Sequence, residues 1–150
     1  MNVGDICKRD VIVAYRDMPL TEAARLMRER HVGSLVVVVE RASERVPVGI
    51  LTDRDIVVAV VAKALDPRAL KVGDVMSSGV FAVREQDGPA EALRAMRENG
   101  VRRVPVVTHS GALAGILAID DLLELMSDEL IDFVRTFARE RVRESRTRRP

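Results

Sequence analysis

Residues 22 to 38, EAARLMRERHVGSLVVV, return as residues 91 to 107, EALRAMRENGVRRVPVV. At this shift of 69 positions, 9 of the 17 residues are identical, where composition alone gives about one. The similarity extends outward, because VGDIC at 3–7 corresponds to VGDVM at 72–76 and GILTDRD at 49–55 corresponds to GILAIDD at 115–121. The chain is therefore an internal duplication whose two copies can be compared position by position.

Hydrophobic periodicity changes in the same order within each copy. A short apolar run is followed by a helical pattern, then by two apolar runs rich in β-branched residues, then by a second helical pattern. These segments are residues 11–14, 19–29, 35–39, 47–51 and 53–65 in the first copy, and residues 80–83, 89–99, 104–107, 113–117 and 120–126 in the second. The sequence predicts an α+β fold of two β-α-β-β-α repeats.

The repeats predict a domain layout. We place repeat 1 at residues 1–66, repeat 2 at residues 67–127, and a C-terminal helix with a basic tail at residues 128–150. Because a small sheet hides its apolar face best against its twin, we expect the repeats to pack with pseudo-twofold symmetry. The tail is strongly basic, since residues 135–150 hold seven arginines and two glutamates.

Composition limits the class of protein. The longest apolar run, residues 56–62, has seven residues and is too short to span a membrane. One cysteine forms no internal disulfide, and no signal-peptide pattern opens the chain, so we expect a reducing cytoplasm. Two scattered histidines and Cys7 give neither a metal-ligand spacing nor a catalytic pair, and no phosphate-binding glycine motif is present. We predict no enzyme, no metal and no required cofactor.

The order of these segments and their motifs resemble those of a known family. A tandem β-α-β-β-α repeat with a VPV segment and a closing GILTDRD turn is similar to a pair of cystathionine β-synthase (CBS) domains, the Bateman module. The resemblance covers about residues 1 to 127, and no other domain is recognised beside it. It resembles small stand-alone bacterial members, some of them linked to stress responses. The resemblance implies a regulatory module that binds an adenine nucleotide or S-adenosylmethionine between its repeats.

The resemblance also implies two unequal sites. We expect a competent first site in which Thr52 and Asp55 meet the ribose, helix-start amides and an arginine pair meet a phosphate, and apolar residues of the same repeat hold the base. Its residues are Ile12, Val32, Thr52, Asp55, Arg102 and Arg103. We expect a degraded second site around Phe81, Val101 and Asp121, because Ala118 replaces the hydroxyl of Thr52 and Phe81 is bulkier than Ile12. AMP, ADP, ATP and S-adenosylmethionine are the possible ligands.

Alternatives accompany these assignments. Thr52 and Asp55 form a helix cap whether or not they bind a ligand, and the arginine pair can simply balance acids such as Glu98. A ligand-free dimeric scaffold, with the helix at residues 127–143 as its contact, is the alternative function. A homodimer and an unknown regulated protein are the expected partners. We do not expect the arginine-rich end to bind nucleic acid, since it has no interleaved aromatic residues and no reader motif.

Overall fold

The computed structural model describes residues 1–147. Each half has a short opening helix, a two-residue strand, an eleven-residue helix, a β-hairpin and a closing helix. The first half consists of α1 (Val3–Ile6), β1 (Val13–Ala14), α2 (Leu20–Arg30), β2 (Ser34–Arg41), β3 (Glu44–Thr52) and α3 (Asp53–Ile56). The second half consists of α4 (Val72–Val75), β4 (Ser77–Ser78), β5 (Val83–Arg84), α5 (Pro89–Asn99), β6 (Arg103–Val107), β7 (Leu113–Ala118) and α6 (Ile119–Thr147). The predicted α+β class with two small sheets and a C-terminal helix is confirmed.

The two sheets repeat one topology. In the first, β1 runs parallel to β2, β2 and β3 form an antiparallel hairpin, and β4 joins β3. In the second, β5 runs parallel to β6, and β6 and β7 form the hairpin. The first hairpin turns at Ala42 and Ser43, both with positive φ, as a two-residue turn requires. The apolar strand pattern therefore specifies the hairpins in both copies.

One predicted helix ends earlier than expected, and another continues as expected. The helix predicted at residues 53–65 is α-helical only to Ile56, continues as a π-helical segment at Val57–Val61, and then ends. The helix predicted at 120–126 and the C-terminal extension form one continuous helix, α6, of 29 residues. No glycine or proline interrupts that stretch, so the helix has no local reason to stop. The last three residues of the predicted tail lie outside the described residues.

The halves exchange their opening segments. Val3 of α1 is fully buried in the core of the second half, beside Val83 and Met96. Val72 of α4 is fully buried in the core of the first half, beside Leu20 and Val37. Matching backbone hydrogen bonds hold both segments, because the Val3 amide donates to the Asp87 carbonyl at 2.8 Å and the Val72 amide donates to the Met18 carbonyl at 2.9 Å.

This exchange crosses the boundary between the two sequence repeats. The units at residues 1–66 and 67–127 describe the sequence repeats, but each packed half takes its first helix from the other repeat. The exchanged chain also pairs with a hairpin strand, since Ser77 pairs with Ile50 and Lys8 pairs with Ile116. The two repeats are therefore interlocked rather than merely side by side.

Cys7 lies within this exchange and should react slowly. Its side chain is half-buried against β7, and burial raises the pKa of its thiol, an effect that Arg9 opposes and Glu85 reinforces. Because the thiolate is the reactive form, we expect native protein at neutral pH to react with iodoacetamide at least about tenfold more slowly than urea-unfolded protein. Equal rates in both states would contradict the packing of Cys7.

Candidate functional site

The turn between β3 and α3 holds two predicted ligand residues in a reciprocal capping box. The Thr52 hydroxyl accepts a hydrogen bond from the Asp55 amide at 3.0 Å, and Asp55 Oδ2 accepts one from the Thr52 amide at 2.9 Å. The arrangement fixes both side chains at the start of the helix. No group in residues 1–147 donates to Asp55 Oδ1. One carboxylate oxygen and the Thr52 hydroxyl hydrogen therefore remain available to a ligand.

The amides of this turn do not form the phosphate site that we expected. The Asp53 amide donates to the Gly33 carbonyl at 3.0 Å, and the Arg54 amide donates to Asp53 Oδ1 at 2.8 Å. The Asp55 amide donates to Thr52, as described above. The expectation of an amide contact to phosphate is wrong because all three donors already have partners, so a bound anion has to be met by side chains.

A cleft of about 570 Å³ opens beside the turn and is lined by both copies. We call it the Thr52 cleft. Its volume falls within the range of roughly 300–1,000 Å³ that is typical of small-molecule sites. The first copy contributes Gly33, Ser34, Ile50 and residues 52–55, and the second contributes residues 77–81 and 99–103. The cleft is therefore a composite site between the halves.

Arg102 and Arg103 line this cleft together with the capping turn. Both side chains are exposed. Arg102 pairs loosely with Asp120 at 3.8 Å, and both partners are mostly exposed, so the pair contributes little to stability. The partner is Asp120 and not Glu98, the acid considered from the sequence. With Arg54 in the same cleft, three guanidinium groups outnumber the carboxylates of Asp53 and Asp55.

A second cleft, of about 270 Å³, lies at the equivalent turn of the other copy. Its acid is already engaged: Asp121 Oδ2 accepts from the Ala118 amide at 2.9 Å, and Asp121 Oδ1 pairs with Lys8 Nζ at 3.0 Å. The side chain of Asp121 is only 10% exposed. We call this the Asp121 cleft. It is smaller, and both oxygens of the Asp121 carboxylate are engaged, although Asp10 and Asp120 also line it and Arg103 lines both clefts.

The structure regroups the apolar residues of both predicted sites. Phe81 and Val101, assigned to the degraded site, line the Thr52 cleft. Ile12 and Val32, assigned to the competent site, line the Asp121 cleft with Asp121. The predicted grouping within one repeat is therefore wrong, and each cleft combines the acid of one repeat with the apolar residues of the other.

Segment exchange is the physical reason for this regrouping. Ser77 pairs with Ile50, two residues before Thr52, so the chain that continues to Phe81 is held beside the Thr52 turn. Lys8 pairs with Ile116, two residues before Ala118, so Ile12 is brought to the Asp121 turn. The same pairing brings in Ser77 and Ser78, which line the Thr52 cleft and were not predicted. The alignment of the two repeats does not predict this pairing, because a strand has the same side-chain pattern whichever copy it pairs with.

Phe81 therefore has a different place from the one expected of it. Its ring is 40% exposed at the wall of the larger cleft, and it does not fill the smaller one. Val101, 38% exposed, lines the same cleft. An aromatic face and an aliphatic side chain together form a surface on which a planar base can stack.

No helix within residues 1–147 has the length and apolar character needed to cross a bilayer. Among the same residues, no three histidine, cysteine, aspartate or glutamate side chains are grouped so that they could hold a metal ion.

Comparison with known proteins gives one family and several relatives. The CBS domain family matches residues 3–62 and again residues 72–128. An uncharacterised protein of Methanopyrus kandleri is 37% identical over 125 residues, which are 83% of this chain and 62% of that protein, so the chain spans less than two thirds of it. Hypoxic response protein 1 of Mycobacterium tuberculosis is 31% identical over 131 residues, 87% of this chain and 90% of that protein.

Two solved structures with the same fold contain ligands. One is a CBS domain pair in complex with 5′-methylthioadenosine and S-adenosyl-L-methionine, with a TM-score of 0.71 and 26% identity over 86% of this chain and 98% of that one. The other is the cytosolic domain of the Mg²⁺ channel MgtE in complex with ATP, with a TM-score of 0.69 and 26% identity over 83% of this chain and 48% of that one.

Proposed function

The chain belongs to the CBS domain family, and we propose that it is a non-catalytic regulatory module that binds an adenine nucleotide or related adenosyl ligand in the Thr52 cleft. The observation that carries the proposal is the convergence of Thr52 and Asp55 from one copy with Arg102 and Arg103 from the other. A ligand held between the halves favours one of their relative arrangements, and that preference is what a regulated partner detects. No resident cofactor is required.

Each part of such a ligand has a matching group in the cleft. The open Oδ1 of Asp55 accepts a ribose hydroxyl, and the Thr52 hydroxyl donates to a ribose oxygen. Phe81 and Val101 pack against the base, and the guanidinium groups of Arg102 and Arg103 pair with phosphate. In the Asp121 cleft, the equivalent carboxylate has both oxygens engaged, by the Ala118 amide and by Lys8, so we propose one competent site per chain.

The relatives support this assignment. One structural neighbour is in complex with S-adenosyl-L-methionine and 5′-methylthioadenosine, and another with ATP, so adenosyl ligands are bound by proteins of the same fold. A relative named for the hypoxic response supports a role in a stress response. We further propose a cytoplasmic location, on the basis of the single unpaired cysteine.

Calorimetric titration tests the proposal directly. Ligand-free protein is titrated with AMP, ADP, ATP and S-adenosylmethionine, with GMP as the control for the base. We expect at least one adenosyl ligand to bind at a stoichiometry of one per chain and more tightly than GMP. Absence of binding by all four ligands up to millimolar concentration would refute the proposal.

Removal of the arginine pair should weaken binding according to phosphate number. We expect Arg102→Ala with Arg103→Ala to lower affinity for ATP by about tenfold, because charge-assisted contacts to phosphate are lost. Affinity for S-adenosylmethionine, which has no phosphate, should change less than about twofold by the same reasoning. Arg94→Ala, outside the Thr52 cleft, is the matched control. Equal losses for both ligands would contradict this role.

A ligand-free dimeric scaffold is the second candidate function. The observation that favours it is the apolar surface of the π-helical segment, where Val57, Val58 and Val61 are each at least half exposed. This alternative predicts self-association in sedimentation velocity together with an absence of heat in every titration.

A further inference from the structure

The second half of α6 is an unpartnered amphipathic helix. Only Leu122 in α6 is fully buried, in the core of the second half. Beyond it, large apolar side chains are between 46% and 65% exposed along the helix. They are Leu123, Met126, Leu130, Ile131, Phe133, Val134, Phe137 and Val142. At helical spacing they form one broad stripe, the α6 stripe, which continues well past the body of the protein.

Charge divides this helix into two halves of opposite sign. From residue 119 to 132 it has six acids and no basic residue, and from residue 133 to 147 it has five arginines and two glutamates. The divide falls between Asp132 and Arg135, near the centre of the α6 stripe. The helix dipole explains charges only in the first and last turns, whereas the acidic run extends through nearly four turns.

The charge pattern is unfavourable within a single helix. Asp120, Glu124, Asp128 and Asp132 follow one another at spacing four, and so do Arg135, Arg139 and Arg143. Like charges at this spacing repel along a helix. Between two residues of α6 the structure has one ion pair, Asp132 with Arg135 at 3.9 Å, and both side chains are at least 75% exposed. Asp120 and Asp121, at the start of the helix, pair with Arg102 and Lys8 of the same chain. Beyond Asp121, the remaining acids and arginines of α6 therefore favour an external partner of complementary sign.

We propose that α6 pairs with α6 of a second copy of this chain in antiparallel orientation. Antiparallel pairing lays the acidic half of each helix against the basic half of the other and buries both α6 stripes. Parallel pairing lays acid against acid and arginine against arginine. A two-fold axis near residue 133 buries both α6 stripes and pairs opposite charges at the same time, because the stripe and the change of charge sign are both centred near that residue. The pairing is independent of ligand binding in the Thr52 cleft.

Site-specific cross-linking tests the orientation in the full-length chain. The only cysteine is removed as Cys7→Ala, and single cysteines are introduced as Val134→Cys and Leu123→Cys for treatment with a short bismaleimide. In the antiparallel pair, Val134 lies beside its twin, whereas the two copies of Leu123 are about 30 Å apart at 1.5 Å per residue. We expect Val134→Cys to give a covalent dimer as the main product and Leu123→Cys to give at least tenfold less.

Two further variants complete the experiment. A mixture of Leu123→Cys and Val142→Cys chains should cross-link to each other, because these positions lie on opposite sides of the axis at similar distance. Asp132→Cys, on the face of α6 opposite the stripe and close to the same axis, is the control and should not cross-link. Efficient dimer from Leu123→Cys alone would establish a parallel pair and overturn the proposal. Cross-linking at none of the stripe positions, with sedimentation showing either a monomer or a dimer, would overturn it as well.

Discussion

Replacement of Asp55 by alanine should lower the affinity for the adenosyl ligand by roughly 100-fold, the largest loss of binding that we expect from truncating one side chain. The variant loses the carboxylate whose Oδ1 is open to ribose hydroxyls, and a hydrogen bond to a charged group contributes about 1.5–3 kcal/mol. Isothermal titration calorimetry with the tightest wild-type ligand measures the change.

Asp121→Ala is the matched control for this substitution. Asp55 and Asp121 both cap a helix through a backbone amide, at 2.9 Å in each case, so both variants lose a comparable cap. The expected cost in stability is about 1 kcal/mol for each, measured by urea unfolding. Only Asp55→Ala should lose binding, since the Asp121 carboxylate is held by Lys8. If Asp121→Ala lost binding and Asp55→Ala did not, the ligand would bind in the Asp121 cleft, which would contradict the prediction.

Replacement of Gly115 by alanine should destabilise the protein by about 2 kcal/mol, a large loss of stability for adding one methyl group. A Cβ at this position would lie 2.6 Å from Cys7 Sγ and 2.8 Å from the Lys8 carbonyl oxygen, so the exchanged segment has to move. Thermal unfolding should show a midpoint roughly 4–8 °C lower, by the usual relation for chains of this size.

Gly88→Ala is the control for this prediction. A Cβ at Gly88 meets nothing closer than Glu91 Oε2 at 3.7 Å, and the residue has a negative φ. Its cost should be below about 1 kcal/mol, from a weaker helix cap. Combining Gly115→Ala with Cys7→Gly removes the closest contact and should recover part of the lost stability. If Gly115→Ala lowered stability no more than Gly88→Ala does, the exchanged segment that contains Cys7 would not be tightly packed against β7.

The prediction of fold succeeded where a local pattern was repeated. Runs such as Leu35 to Val39 specify strands without reference to distant residues, and the duplication supplied each pattern twice. The end of the helix at Val61 was missed because residues 57–62 are uniformly apolar, and periodicity gives no stopping point in such a run. The continuous α6 was predicted because no breaker occurs within it.

The candidate site could be predicted only in part. Thr52 and Asp55 are close in sequence, so their turn was readable, and Arg102 and Arg103 were placed opposite them through the family resemblance. Which cleft Ile12 lines and which cleft Phe81 lines depend on the hairpin that each exchanged segment joins. That choice is made by long-range backbone pairing, such as Lys8 with Ile116, which side-chain patterns do not encode.

Two substitutions at equivalent positions of the repeats test most directly whether the ligand binds in a cleft that is built from both repeats. Val101 lines the Thr52 cleft, and its counterpart Val32 lines the Asp121 cleft. Calorimetric titration of Val101→Glu and Val32→Glu with the tightest adenosyl ligand compares them. We predict that Val101→Glu abolishes binding and that Val32→Glu leaves it within about twofold of wild type, because only Val101 faces the ligand. Loss of binding in Val32→Glu with retention in Val101→Glu would contradict the account.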